Sequence, residues 1–158
     1  MEDCETLAYG FVEDVYVVIH RGKQVDERDW QACLDGALYA PQVPRLLLVA
    51  GDLMPDVGQR FDLSRVHEKH GTKVALLTDS SASRRVVTAL KWSGMEAESF
   101  RIDDLDGMLV FLSRPALRAR LSSALGPYLD RSWLQEVGGP SASPPSRGRQ
   151  SAAHRGIS

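Results

Sequence analysis

An α/β fold is predicted: a small mixed sheet of about five strands with four helices, followed by a C-terminal helical extension. Three observations carry the prediction. Residues 45–50 and 74–78 are near-continuous apolar runs separated by a helical segment, as parallel strands buried on both faces require. Residues 7–12 and 15–21 are strand-like and separated only by Glu13 and Asp14, so they pair as an antiparallel hairpin. Trp30, Cys33, Leu34, Ala37 and Leu38 recur at helical spacing and form a core-facing stripe.

Along the chain, Tyr16, Val18 and His20 alternate with Val15, Val17 and Ile19, leaving both faces of that strand largely apolar, as in a central strand. Asp26 is the expected N-cap of the first helix, with Asp29 as a weak capping-box partner. Pro41 and Pro44 stop this helix before the strand at 46–50. The second helix is weaker. Val57, Phe61 and Val66 supply an apolar side, Gly58 sits inside it, and Asp62 caps a better segment over 63–70 that Gly71 ends. A helix over 83–93 follows the strand at 74–78, with Val86, Val87, Ala89 and Leu90 apolar and Gly94 just past its end. Residues 98–102 form a short fifth strand. Asp103 or Asp104 caps a helix over 105–113 whose face is Leu105, Met108, Leu109 and Leu112. Right-handed crossovers with short connections make the last three strands parallel.

The chain divides into an α/β domain over 1–113, a helical extension over 114–137 and a tail over 138–158. Leu117, Leu121, Leu125, Leu129 and Trp133 repeat every four residues in the extension, interrupted at Gly126-Pro127, so it packs on the domain or pairs with a second copy as a homodimer. The tail has almost no large apolar side chain and cannot bury enough surface to offset the entropy of ordering, so disorder is expected. It carries Arg147, Arg149 and Arg155 and no acid, a charge of +3, which leaves −5 for the remainder of a chain whose net charge is −2.

That net charge argues against a dedicated nucleic-acid binder, and three tail arginines neutralise few phosphates. No apolar run reaches the length of a membrane span, and the acidic start is unlike a signal peptide, so a cytoplasmic location is expected. Cys4 and Cys33 make neither a metal spacing nor a disulfide framework. The glycine signatures of dinucleotide and Walker-type phosphate binding are absent, as is a G-x-S-x-G elbow. His67, Glu68 and His70 do not have zincin spacing and read as a helix face. No cofactor, metal or catalytic set is expected.

The segments YVVIHRG, RLLLVAGDLMPDVGQR, KVALLTDSSASRRVVTALKWSG and SFRIDDLDGMLVFL, in this order and at these lengths, resemble the STAS-type domains of anti-sigma-factor antagonists and the wider SpoIIAA-like, or STAS/SEC14-like, group. The resemblance covers roughly residues 7–113. It implies a non-enzymatic module that docks on a regulatory protein partner in bacterial regulation. In the regulated antagonists a phosphorylatable serine lies in an Asp-Ser-Ser-Gly-like turn after the third strand. Here that stretch is Met54-Pro55-Asp56-Val57-Gly58, with no hydroxyl, and Asp79-Ser80-Ser81-Ala82 comes one unit later. The phospho-switch therefore does not carry over by position.

The expected partner surface comprises Asp52, Asp56, Gln59 and Arg60 after the third strand, and Asp79 and Arg84 after the fourth. Ser80 and Ser81 are candidate phosphorylation sites, because a helix N-terminus and nearby Arg84 and Arg85 would stabilise an anion. Ordinary helix capping is the competing account of those serines. The alternative function is a small-ligand or anion-binding domain, or a minor enzyme, using the same sheet edge around Asp52, Asp79 and Ser80.

Overall fold

A computed structural model describes residues 1–21, 24–42, 45–50 and 55–129. Six strands, β1 (Glu2–Asp3), β2 (Leu7–Val12), β3 (Val15–His20), β4 (Arg45–Val49), β5 (Val74–Leu77) and β6 (Ala97–Phe100), form one mixed sheet in sequential order. β1, β2 and β3 pair antiparallel, and β3 to β6 pair parallel. The mixed α/β architecture is the expected one, with one strand more. The two-residue β1 is too short to leave a periodic signal. The fifth predicted strand starts one residue earlier and ends two residues earlier than expected, at Ala97–Phe100.

Three helices fill the parallel crossovers: α1 (Glu27–Leu38), α2 (Val57–His70) and α3 (Ser81–Trp92). Each crossover steps to the adjacent strand in the same direction, so right-handed connections place all three on one face. Side chains alternate along each strand. Leu7, Tyr16, Val18, Leu46, Leu48, Val74 and Leu76 therefore pack against Trp30, Leu34, Leu63, Val66, Val86 and Leu90 of that layer. Ala8, Val15, Val17, Ile19, Leu47, Val49, Ala75 and Leu77 face the other way. They meet α4 (Leu105–Phe111), a 3-10 turn (Pro115–Leu117) and α5 (Arg118–Leu129).

The extension is therefore part of the same core. Leu117, Leu121 and Leu125 are buried against the chain's own sheet, so of the two expected destinations of the leucine stripe, the domain or a second copy, these positions take the domain. α5 also continues through Gly126 and Pro127, where a break was expected. Proline there removes one backbone N–H from the helix. The tail, the rest of the extension (Trp133 included) and Asp52 lie outside the described residues.

α1 behaves as its sequence predicts. Asp26 caps it, accepting from the Arg28 and Asp29 backbone N–H groups, and Trp30, Cys33, Leu34, Ala37 and Leu38 are all buried. Asp29 does not close a capping box; it accepts from the Thr6 backbone N–H and hydroxyl and ties α1 to the start of β2. α2 differs from expectation. It is one helix, capped by Asp56 in a capping box with Gln59, and its buried side is Gln59, Leu63 and Val66. Val57 and Phe61 face solvent. Gly71 ends it at φ 64°, a left-handed C-cap suited to glycine. His70 Nε2 lies 3.1 Å from the Leu38 carbonyl, to which Lys69 also donates, and His67 Nδ1 lies 3.0 Å from the Thr72 carbonyl. The His67–His70 run thus fastens α2 to the end of α1 and to the next turn.

The hairpin turn is clamped to the far helical layer. Asp14 accepts from Arg45 and from Arg114 Nε and Nη2, the last at 2.6 Å, while Glu13 pairs with Arg120. The Arg114 hydrogen bonds hold the Asp14 carboxyl below the usual carboxylate range, against the opposing effect of its partial burial. Its contribution to stability is present above the ordinary carboxylate pKa and is lost as pH falls through the lowered folded value. Asp14→Ala leaves two guanidinium groups without their acceptor. It should cost about 2 kcal/mol in urea unfolding at pH 7, and less as the pH falls below about 4. A cost independent of pH would contradict this assignment.

Candidate docking site at the carboxyl rim

Parallel strands that neighbour one another release their following loops at one edge. Val49 of β4 pairs with Leu77 of β5, so the connections that lead to α2 and to α3 leave the sheet at the same edge. A rim at this edge is expected from the sequence; residues 51–54 of it, Asp52 included, lie outside the described residues.

The α2 side of the rim is built by its capping box. The Asp56 carboxylate accepts from the Gln59 backbone N–H at 2.8 Å, and the Gln59 side chain accepts from the Asp56 N–H at 3.2 Å. Gln59 is buried by this arrangement, so its part in the rim is to fix the helix start. Arg60 is half-buried. Between the first turns of α1 and α2 lies a cleft of about 440 Å³, lined by Glu27, Trp30, Asp56, Val57, Gly58, Gln59 and Asp62. Trp30 forms a closed wall: it is buried, and its indole N–H donates to Asp62 at 2.9 Å. Asp62, expected as a cap, instead joins the two helices and lies 3.7 Å from Arg65. Among the described residues no cation lies within ion-pair distance of Glu27 or Asp56.

On the lip of this cleft Val57 and Phe61 stand one turn apart, 73% and 67% exposed. Sequence reasoning assigned both to the core side of α2. The missed signal was D-x-x-Q at Asp56–Gln59, a capping box that sets the helix phase and turns these residues outward. The cleft itself left no trace in the sequence, because Glu27 and Asp62 meet only through the β3-to-β4 neighbour relation.

On the α3 side, Ser80 is the N-cap and its hydroxyl accepts from the Ser83 N–H at 3.3 Å. The Thr78 hydroxyl accepts from the Ser80 N–H, and the Asp79 carboxylate accepts from the Ile102 N–H at 3.3 Å. Arg84 is exposed and donates to the Asp79 carbonyl at 3.5 Å. Ser81 is exposed in the first turn. Asp79 therefore secures the β6-to-α4 connection, and Ser80 is a capping residue. Asp79, Ser80, Ser81 and Arg84 share the rim with Asp56 and Arg60 but are not among the residues that line the cleft.

No described helix is long and apolar enough to cross a membrane, and the described residues hold no cluster of potential metal ligands. No family model, curated protein or solved structure matches the chain.

Proposed function

We propose that this chain is a non-enzymatic protein-interaction module of the STAS/SpoIIAA-like kind, docking on a regulatory partner in the bacterial cytoplasm through its carboxyl rim. The observation that carries the reading is the exposed Val57–Phe61 pair on the lip of the Trp30 cleft. Fully burying the two side chains against a partner contributes about 1.5–3 kcal/mol each. An aromatic anchor beside a pocket is the usual centre of a docking surface. Asp56, Arg60 and Arg84 supply polar contacts around it. Hydrogen bonds at both helix starts hold the surface in one conformation, so the signal is the difference in the partner's affinity between its own states. The element order, a hairpin followed by three β-α units, supports the family resemblance.

A photo-crosslinking residue at position 61 should capture one or a few defined proteins in cells. The same residue at Trp92, 86% exposed at the opposite end of the helix layer, should not capture them. Equal capture at both positions would count against the rim. A second reading, a small-ligand site, is favoured by the cleft volume, which falls in the usual range for such pockets. A ligand that raises the melting temperature, and loses that effect on Asp62→Asn, would favour it.

A further inference from the structure

β6 is the last strand of the sheet, and among the described residues no strand pairs with its outer side. The Val74 N–H, at the start of β5, donates to the Glu96 carbonyl, and the Thr78 N–H, just past its end, donates to that of Phe100. Backbone groups alternate in direction along a strand, so those of Ala97 and Ser99 and the Arg101 N–H point outward. Such a row is a template for one more strand. The protein fills one of these positions with its own side chain. Ala97 belongs to the core under α1, α2 and α3, and Phe100 packs toward α4, so Glu98 leaves the strand on the α4 face. Its carboxylate nonetheless accepts from Lys91 of α3 at 3.0 Å and from the Ser99 N–H at 3.4 Å. Glu98 therefore crosses the open edge, one oxygen on an outward amide and the other on a cation of the opposite layer. Arg84, Thr88 and Lys91 follow at i, i+4 and i+7 and are all exposed, so they form a stripe on the side of α3 from which Lys91 reaches β6. Asp79, just before α3, accepts from the Ile102 N–H just past β6, so the stripe runs beside the strand over its length. From Arg84 to Lys91 the helix rises about 10 Å, as does the strand from Glu98 to Arg101. α3 carries Arg84, Arg85 and Lys91 and no acid, in a chain whose net charge is −2.

We propose that the outer edge of β6, flanked by the basic stripe of α3, is a second docking site, separate from the rim, and that it takes an extended acidic segment of a partner protein as a seventh strand. A carbonyl of that segment replaces the Glu98 carboxylate on the Ser99 N–H, and its other backbone groups meet those of Ala97 and Arg101. Its alternate side chains fall on one face, so carboxylates two residues apart lie along Lys91 and Arg84. Glu98 identifies the ligand, because it holds an acceptor oxygen on an outward amide and a negative charge on Lys91, the two things that an acidic strand brings. With no partner bound it covers the edge, as charged side chains on edge strands do. A strand of peptide groups fits this site better than a nucleic acid does. The outward carbonyls of Ala97 and Ser99 need N–H donors, which phosphates lack, and the net negative chain repels a polyanion at long range.

The test titrates the full, isotope-labelled chain with the peptide acetyl-TEVEVET-amide and with its basic counterpart acetyl-TKVKVKT-amide. The acidic peptide should bind saturably and slow solvent exchange of the Ser99 N–H by about tenfold or more, while the Glu98 and Phe100 N–H groups, which face β5, change little. Lys91→Glu should weaken binding about tenfold. Glu98→Ala should tighten it, because the position on Ser99 and Lys91 is then vacant. Ser99→Pro removes only an outward N–H, which an edge strand tolerates, and should abolish binding. Ser99→Ala keeps the N–H and should bind like the parent. Melting temperatures show that each variant is folded, and the exchange pattern and Lys91→Glu decide the matter if Ser99→Pro is not. No saturable binding, equal binding of the basic peptide, or full binding by a folded Ser99→Pro would overturn the inference. So would tighter binding of a DNA duplex than of the acidic peptide. Slowing of the Ser99 exchange as the concentration of the chain alone is raised would overturn it too, since a second copy would then be taking the edge. Lys91, Glu98 and Ser99 lie outside the rim, so partner capture at position 61 is unaffected and the two readings fail separately.

Discussion

Stability should fall by about 3 kcal/mol as pH drops from about 6.5 to about 4, and His20 is the cause. His20 ends β3 and is 3% exposed, on the face toward α1, α2 and α3. Neither ring nitrogen has a hydrogen-bond partner. Burial pulls its pKa down to about 4, and the nearby Val49 backbone opposes this only weakly. Between the folded and unfolded values the unfolded chain binds more protons, so stability rises with pH through that window and is fully present above it. His20→Phe removes the proton and keeps an aromatic ring of similar shape. Denaturant unfolding at pH 7, 5.5 and 4.5 should show a decline in the parent chain and little or none in the variant. At pH 7 the variant should be as stable or slightly more so, because no buried hydrogen bond is lost. An undiminished decline in His20→Phe would place the titration elsewhere. The Asp14 clamp titrates below this window and does not confuse the comparison.

Gly36→Ala should cost about 2–4 kcal/mol, although alanine is the better helix former by about 1 kcal/mol. A β-carbon at Gly36, inside α1, would collide with the Tyr16 hydroxyl oxygen. That hydroxyl is buried and donates to the Cys33 carbonyl at 2.7 Å. Moving it away costs both the hydrogen bond and the fit of a ring held against Tyr9 and Phe11. Tyr16→Phe alone should cost about 1 kcal/mol. The double variant should recover most of the Gly36→Ala loss, because the nearest remaining ring atom is then 3.2 Å from the new carbon and small shifts relieve it. A thermal-melt double-mutant cycle reads the coupling directly. Additive losses would mean that the collision is not what destabilises Gly36→Ala.

Much of the fold was legible because its signals are local. The apolar runs over 45–50 and 74–78 define the central strands, the Trp30–Leu38 stripe defines α1, and Gly71 and Gly94 mark the ends of α2 and α3. What escaped depended on phase or on distant contacts. Val57 and Phe61 share the apolar side with Val66 in the sequence, whereas the single helix capped at Asp56 buries Gln59, Leu63 and Val66 and leaves Phe61 outside. The destination of α5 was undecidable from its leucine stripe, which a partner would satisfy as well as the sheet does. Asp79 looked free because its acceptor role is fulfilled by Ile102, 23 residues on. The rim was foreseeable from the β-α order, whereas the cleft required knowing that α1 and α2 lie beside each other.

The docking rim is tested most directly by affinity capture with the parent chain and with Val57→Ser/Phe61→Ser as baits. Both residues are largely exposed, so the double variant should melt within a few degrees of the parent. Proteins retained by the parent should be depleted at least tenfold on the variant. Retention of the same proteins in the same amounts, by a variant that is equally folded, would contradict the account.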